Sequence, residues 1–316
     1  MSDLMDEWGR KVFATPKGRK AKTIHSKPVL KNSSKKSSGI YKTKFAQLSQ
    51  RLPEVMVKIS GSAKNAGQLR AHLDYIGRNN DETQVEIEDE RGEIYKGKED
   101  VAELTSMWEN SGYKIPQSGK VKRETFNIVL SMPPGTDRLA VKEAARNFAK
   151  EQFDGHQYAF AAHDDEKHPH VHLAVKAVSL KGVRLNPRKA DLQEWRELFA
   201  DKLRDEGIAA TATRRFSRGQ ITKGEKQSVI HIEKEFKEGK RKDGSYVLKN
   251  RKEQERAGHK NPYLETMTTT RKNVVGAIGM AAKEFARSPD IDDKKIALGL
   301  VDVVKRMQPL VKNDKA

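Results

Sequence analysis

Four of the nine histidines in this chain lie within ten residues, from His163 to His172. Residues 170–178 are mostly apolar and β-favouring, which predicts a strand. Side chains alternate across a strand, so His170 and His172 should share a face at a spacing of about 7 Å. An apolar run precedes His163, and a hairpin between the two runs would return His163 to the same place. Because neutral imidazole is a common metal ligand, the pattern predicts a three-histidine metal site, with a solvated histidine-rich turn as the alternative.

The second question is which side chain could act as a nucleophile beside such a site. The chain contains no cysteine, so the candidates are Ser, Thr, Tyr or metal-bound water, and a reducing cytosol is the expected compartment. Tyr75 stands out because it lies in a predicted helix, residues 65–78, with Arg70 and Arg78 within two turns. Packing in the core would equally account for Tyr75, and the residue types alone leave both interpretations open.

The elements that must position these residues follow from the apolar periodicity. Strands are expected at 54–60, 125–132, 157–162 and 170–178, with helices near 65–78, 136–153 and 188–206. An acidic stretch, residues 81–103, is expected to form loops. From about residue 223 only helices are predicted, at 223–238, 249–258, 268–286 and 292–311. Strands mixed with helices, followed by helices alone, indicate an α+β fold with a helical C-terminal region.

Charge points to a nucleic-acid partner without specifying one. The 316 residues carry a formal charge of +18, and residues 1–50 alone hold 12 Lys/Arg against 3 Asp/Glu. Residues 1–52 show little apolar periodicity, which predicts a flexible basic arm. No stretch of eighteen apolar residues and no apolar signal-peptide core occur, so we expect no membrane insertion and a cytoplasmic location.

The histidine cluster resembles a known metal motif. The pattern His163-x-Asp165-x-x-x-x-His170-Val171-His172 is similar to that of conjugative DNA relaxases, in the histidine–hydrophobic–histidine endonuclease superfamily. The closer likeness is to the branch that contains plasmid mobilisation relaxases and the T-DNA border nuclease.

Further segments agree with that branch in order and spacing over residues 54–222. Residues 73–78 resemble its nucleophilic tyrosine segment, and residues 128–137 resemble its second motif, where a serine helps to hold DNA. A basic stretch at 214–222 also has a counterpart. The resemblance implies a nickase domain with a palm-like antiparallel sheet at 53–222, whereas composition and periodicity predict the basic flexible arm at 1–52 and the helical region at 223–316.

The resemblance implies site- and strand-specific nicking and rejoining of DNA by metal-dependent tyrosine transesterification, which leaves a 5′-phosphotyrosine adduct. Tyr75 would attack the phosphodiester, and a divalent metal ion, Mg²⁺ or Mn²⁺, would be held by His163, His170 and His172. Asp165 would take the phenol proton or orient a ligand histidine. The implied DNA contacts are Ser131, Arg70, Arg78, Arg214 and Arg215.

The implied substrate is single-stranded DNA at an origin of transfer in the bacterial cytoplasm. Auxiliary origin-binding proteins and a type IV secretion coupling protein are the implied partners, and the protein could enter the recipient cell with its DNA. Two other functions fit the same residues: a rolling-circle replication initiator with the same chemistry, or a non-catalytic DNA-binding protein that retains a vestigial metal site.

Overall fold

The computed structural model describes residues 2–13, 37–80, 82–118, 121–220, 225–258 and 262–307. These residues form two compact units. One, the sheet unit, comprises residues 51–212, and the other, the helical unit, comprises the described parts of 1–14, 34–50 and 213–316. None of the described helices is both long and apolar enough to cross a membrane.

The sheet unit is built on six strands in the order β1-β4-β6-β5-β2-β3, and every pairing is antiparallel. The α+β class with an antiparallel sheet is therefore confirmed. The strands are β1 Met56–Ala63, β2 Ile87–Asp89, β3 Ile94–Tyr95, β4 Thr125–Ser131, β5 Tyr158–His163 and β6 His170–Lys176.

Four helices cover the two faces of this sheet: α3 Ala66–Ile76, α4 Gly97–Asn110, α5 Arg138–Gln152 and α6 Lys189–Asp205. Helices α5 and α6 contribute Phe148, Trp195 and Phe199 to a core built on one face. On the other face α3 and α4 pack over three alanines of β5 and β6, whose small side chains leave room for close approach. These alanines are Ala159, Ala161 and Ala174.

Polar side chains begin the two helices that flank the histidine hairpin. Asn65 accepts a hydrogen bond from the Gln68 N–H at the start of α3, and Asp137 accepts one from the Ala140 N–H at the start of α5. Such caps satisfy backbone donors that the first helical turn leaves unpaired.

The structure corrects the expectation that residues 81–103 form loops, because β2, β3 and the start of α4 lie there. Ile87 is fully buried, and the acidic side chains beside it are paired. Glu88 accepts two hydrogen bonds of 2.6 Å from Arg146, and Asp89 pairs with Arg91 at 2.8 Å. A buried carboxylate is tolerated when it is paired in this way, which composition alone does not reveal.

The structure also corrects the expectation of a flexible arm for residues 2–13 and 37–50. They form α1 Ser2–Phe13 and α2 Ser37–Gln50, which share one core with α9 Leu264–Arg287 and α10 Ile291–Lys305. Met5, Trp8 and Val12 are buried in that core at helical spacing. The expected basic arm also includes residues 14–36, which lie outside the described residues. The remaining helices are α7 Gln227–Lys237 and α8 Tyr246–Arg256.

Candidate active site

The structure brings the three predicted ligand histidines together on the sheet face that α3 partly covers. His170 lies directly opposite His163 in the pairing of β5 with β6, and His172 is two residues further along β6. One ring nitrogen from each histidine lies within 4.8 Å of the other two, and the rings are 4.6–5.2 Å apart between centroids. This spacing allows one cation to contact all three side chains.

The hydrogen bonds of the three rings fit a cation site. His163 Nε2 lies 2.7 Å from the Ile76 carbonyl oxygen, and His170 Nδ1 lies 3.0 Å from the His168 carbonyl oxygen. A carbonyl can only accept, so these nitrogens carry the protons and leave His163 Nδ1 and His170 Nε2 as acceptors. His172 Nδ1 is buried without a hydrogen-bond partner among the described residues. Ligand histidines are commonly oriented by such carbonyl contacts.

Burial favours the neutral form of two of these imidazoles, those of His163 and His172. Burial, together with the neighbouring His163 and His170, lowers the pKa of His172 to about 3. Burial is also the largest cause that lowers the pKa of His163. Metal ions bind the neutral form of imidazole, so no proton has to leave these two rings near neutral pH before a cation binds.

Tyr75 lies in the last turn of α3, directly over this cluster. Its side chain is 64% exposed, whereas Leu69, Leu73 and Ile76 supply the buried face of the same helix. The Tyr75 ring meets the His172 ring edge-on at 5.8 Å between centroids. On its other side it stacks on His72 at 6.4 Å. Tyr75 is therefore a surface residue held beside the histidines, and the core-packing interpretation is wrong.

Asp165 lies in the loop between β5 and β6 and pairs with Arg78 at 2.5 Å. Burial by itself would raise the pKa of Asp165, but a hydrogen bond with its own backbone and the Arg78 guanidinium lower it overall. A carboxylate whose pKa is below its usual range is a weak base. The structure therefore gives Asp165 an arginine partner and no sign of the raised pKa expected of a proton acceptor.

The predicted DNA contacts fall into three groups. Ser131 lies opposite His170 on the neighbouring strand β4, and so shares the face of the cluster. Arg70 instead pairs with Asp74 at 2.9 Å and donates to the Lys98 carbonyl at 2.5 Å, while Arg78 pairs with Asp165. Arg214 and Arg215 belong to the helical unit. Residues 221 and 222 of the predicted basic stretch lie outside the described residues.

Lys58 is a residue on this face that the sequence pattern did not single out. Two rows of directly opposed residues cross the sheet beside the site: Met56, Ser131, His170 and His163, then Lys58, Val129, His172 and Ala161. Lys58 is exposed, and no carboxylate of the described part of the chain pairs with it. The alternation of β1 predicts that Lys58 faces one side, but the order of the strands was needed to show which side that is.

Arg138, the first residue of α5, is a second such residue. Its guanidinium donates to the carbonyl oxygens of His163 at 3.3 Å and Glu166 at 2.5 Å, and lies 3.5 Å from the Asp164 carboxylate. It therefore fixes the loop that follows His163. Backbone contacts of this kind leave no pattern in the sequence.

The part of the chain that holds Tyr75 and the histidine cluster is also the part that matches known proteins. Residues 75–208 match the nuclease domain of the MobA/VirD2-like relaxase family. The T-DNA border endonuclease VirD2 of Rhizobium radiobacter is 28% identical over 183 residues, which cover 52% of this chain and 43% of the relative. The Agrobacterium fabrum (strain C58) protein of the same name is 27% identical over 183 residues, covering 52% and 41%. The chain thus spans less than half the length of these curated relatives, and the predicted resemblance to relaxases of this branch is confirmed.

Proposed function

We propose that this protein, which resembles the T-DNA border endonucleases, is a relaxase that nicks and rejoins one DNA strand at an origin of transfer by transesterification on Tyr75. The observation that carries the proposal is the position of an exposed phenol 5.8 Å, ring to ring, from one member of a three-histidine cluster. A nucleophile and a group of metal ligands on one open face are the parts that attack on a phosphodiester requires.

The reaction exchanges one phosphodiester for another. The Tyr75 oxygen bonds to phosphorus, the bond from phosphorus to the 3′-oxygen breaks, and the phenol proton is balanced by the proton that the new 3′-hydroxyl takes up. His163, His170 and His172 would hold a divalent cation, Mg²⁺ or Mn²⁺, which would supply electrophilic stabilisation of the phosphate charge. Because both bonds are phosphodiesters, rejoining by the reverse step needs no ATP.

We assign the DNA contacts from the position of each side chain and from the ion pairs that it already forms. Lys58 and Ser131 share the sheet face of the histidines, so we assign them the contacts nearest the scissile phosphate. Arg70 and Arg78 could contact DNA only in exchange for their carboxylate partners Asp74 and Asp165. Arg214 and Arg215 remain candidates for sequence-independent phosphate contacts.

The wider role is transfer of a plasmid or another mobile element. The covalent complex would form in the bacterial cytoplasm with the help of auxiliary origin-binding proteins. It would then pass to a type IV secretion coupling protein and travel with its strand into the recipient. The resemblance to relaxases of this branch supports these partners.

The test is adduct formation by Tyr75→Phe. The full chain is incubated with Mn²⁺ and a supercoiled plasmid that carries the DNA flanking its gene. Wild type should give relaxed plasmid and an SDS-stable protein–DNA adduct that EDTA prevents, and Tyr75→Phe should give neither, because only the attacking oxygen is removed. Tyr113→Phe is the matched control, since Tyr113 is another exposed tyrosine of the sheet unit.

Each alternative predicts a different result in the same assay. An adduct on Tyr75→Phe would mean that another residue is the nucleophile. Relaxation without an adduct would indicate an ordinary nuclease, and DNA binding without cleavage would indicate the non-catalytic protein. Adducts that form only on a fragment holding the plasmid's replication origin would favour the rolling-circle initiator.

A further inference from the structure

We infer that the Arg78–Asp165 ion pair is a strap that holds the Tyr75 helix against the metal loop, and that Asp165 positions the nucleophile rather than taking its proton. This inference rests on the proposed function. It assigns a role to an arginine expected to contact DNA, and it chooses between the two roles that the residue types leave open for Asp165.

The first argument is where the contact lies. Helix α3 ends at Ile76, and residues at its end contact His163 and the β5–β6 loop, which are distant in sequence. Two links join these segments: the Ile76 carbonyl accepts from His163 Nε2 at 2.7 Å, and Arg78 donates to Asp165 at 2.5 Å. Tyr75 lies within three residues of both links. They therefore fix the end of α3 against the element that carries the histidines.

The second argument is the backbone of Arg78. Its φ is +52°, in the left-handed region, directly after the helix cap Gly77, whose own φ is −80°. Glycine is the residue usually found at this left-handed position after a helix, because a Cβ is strained there. An arginine kept in a conformation that favours glycine points to a function of its side chain.

The third argument is what happens if the ion pair is removed. Leu73 and Ile76 still anchor α3 in the core, so the helix should stay in place. Of the two links, only the Ile76–His163 hydrogen bond would then remain, and the exposed Tyr75 ring could sample positions further from the histidine cluster. Small displacements of a reacting group slow a reaction by up to about 100-fold, so a positional role predicts a large kinetic effect without unfolding.

The main test is Arg78→Gly, which removes the strap and relieves the backbone. Thermal stability should be equal or higher, the rate of adduct formation under single-turnover conditions should fall about 10- to 100-fold, and Mn²⁺ affinity by calorimetry should stay close to wild type. Arg51→Gly is the matched control, because Arg51 has a φ of +54° and is not among the site residues described above. A wild-type rate for Arg78→Gly, or a loss of Mn²⁺ affinity in parallel with the rate, would overturn the strap.

A double-mutant cycle separates the strap from proton transfer. If the pair acts as a strap, Arg78→Met and Asp165→Asn should slow adduct formation by similar factors, and the double variant should be no slower than the slower single variant. If Asp165 takes the proton, Asp165→Asn should be slow while Arg78→Met retains the wild-type rate. That second result would overturn the inference and leave the proposed function standing.

A readout without catalysis distinguishes failure of the strap from failure of the proposed function. The full chain is labelled with fluorotyrosine, and the Tyr75 resonance is assigned by its absence from Tyr75→Phe. Mn²⁺ in the histidine cluster should broaden this ¹⁹F resonance strongly in wild type. In Arg78→Gly the broadening should decrease, since Tyr75 samples positions further from the ion. Equal broadening in the two proteins would overturn the strap whether or not the protein nicks DNA.

Discussion

The candidate active site and the excess of positive charge lie in different parts of this protein. Residues 51–212, which hold the histidine cluster and Tyr75, contain 25 Lys/Arg and 27 Asp/Glu. The rest of the chain contains 37 Lys/Arg and 17 Asp/Glu. The whole positive excess therefore lies outside residues 51–212. Affinity for a phosphate backbone depends on the number of cations that contact it, whereas the reaction depends on the placement of a few side chains.

Within the sheet unit, many basic side chains already have acidic partners. Arg146 pairs with Glu88, Arg91 with Asp89, and Arg70 with Asp74. Lys58 differs, because it is exposed on the histidine face and pairs with no carboxylate of the described residues. Under the proposed function, the sheet unit would contribute few phosphate contacts, and most of the salt-dependent affinity would come from elsewhere in the chain.

The largest effect should follow removal of the metal ligands. In the His170→Ala/His172→Ala variant we expect loss of Mn²⁺ binding by calorimetry and loss of adduct formation, because two of the three converging imidazoles are absent. His231→Ala, an exposed histidine in the helical unit, is the control and should change neither quantity. Unchanged Mn²⁺ affinity in the double variant would place the metal, and the chemistry, somewhere else.

The next effect tests the helical unit by itself. Trp8 is 6% exposed in the core that α1 shares with α9 and α10, so Trp8→Ala should lower stability by about 3–5 kcal/mol. Leu4→Ala, at a half-exposed position of the same helix, should have little effect. Scanning calorimetry measures both, and Mn²⁺ titration checks that the histidine site survives. An unchanged melting temperature for Trp8→Ala would mean that α1 is not packed in this core and is part of the flexible arm that the composition predicts.

The same pair of units shows what a sequence can predict here. The apolar runs around His163 and His172 predict the β5–β6 hairpin, and the apolar periodicity of residues 65–78 predicts α3, so the cluster and the tyrosine could be found from local pattern. The Arg78–Asp165 and Arg138 contacts could not, because they join segments far apart in the chain and use backbone oxygens or single side chains.

Helix α1 was missed for a different reason. Met5, Trp8 and Val12 have helical spacing, but they are too few to form a core alone, and residues 1–52 as a whole are basic and rich in Ser. Their partners come from α9 and α10, more than 250 residues later, and only the fold shows that these helices meet. A segment whose composition predicts an unfolded tail can thus form one layer of a hydrophobic core.

A smaller effect concerns the lysines between α1 and α2. Deleting residues 1–50 would remove core residues of the helical unit as well as charge, so substitution is the cleaner experiment. Changing six lysines to Gln should reduce the slope of log K against log salt for binding of single-stranded DNA. The slope should fall by up to about 0.7 for each phosphate that a lysine no longer neutralises. Nicking at saturating DNA should be retained. The positions are Lys17, Lys20, Lys22, Lys27, Lys31 and Lys35. An unchanged slope would mean that these charges serve another partner.

The smallest effect, and the sharpest test of the division between units, is expected from Lys58. If most affinity comes from outside the sheet unit, Lys58→Met should weaken binding of single-stranded DNA only a few-fold and reduce the salt slope by about 0.7, the share of one phosphate contact. Because Lys58 lies in the same row as His172, that contact should be close to the scissile phosphate, and the adduct rate at saturating DNA should fall as well.

Lys150→Met removes the same charge from an exposed position on α5, the helix that packs on the opposite face of the sheet. It should leave both the slope and the rate unchanged. Equal effects of the two variants in anisotropy titrations over a range of salt would show that the net charge of the sheet unit matters and the position of Lys58 does not. A large loss of affinity from Lys58→Met alone would instead place much of the binding energy in the sheet unit, and the division of chemistry from charge would be wrong.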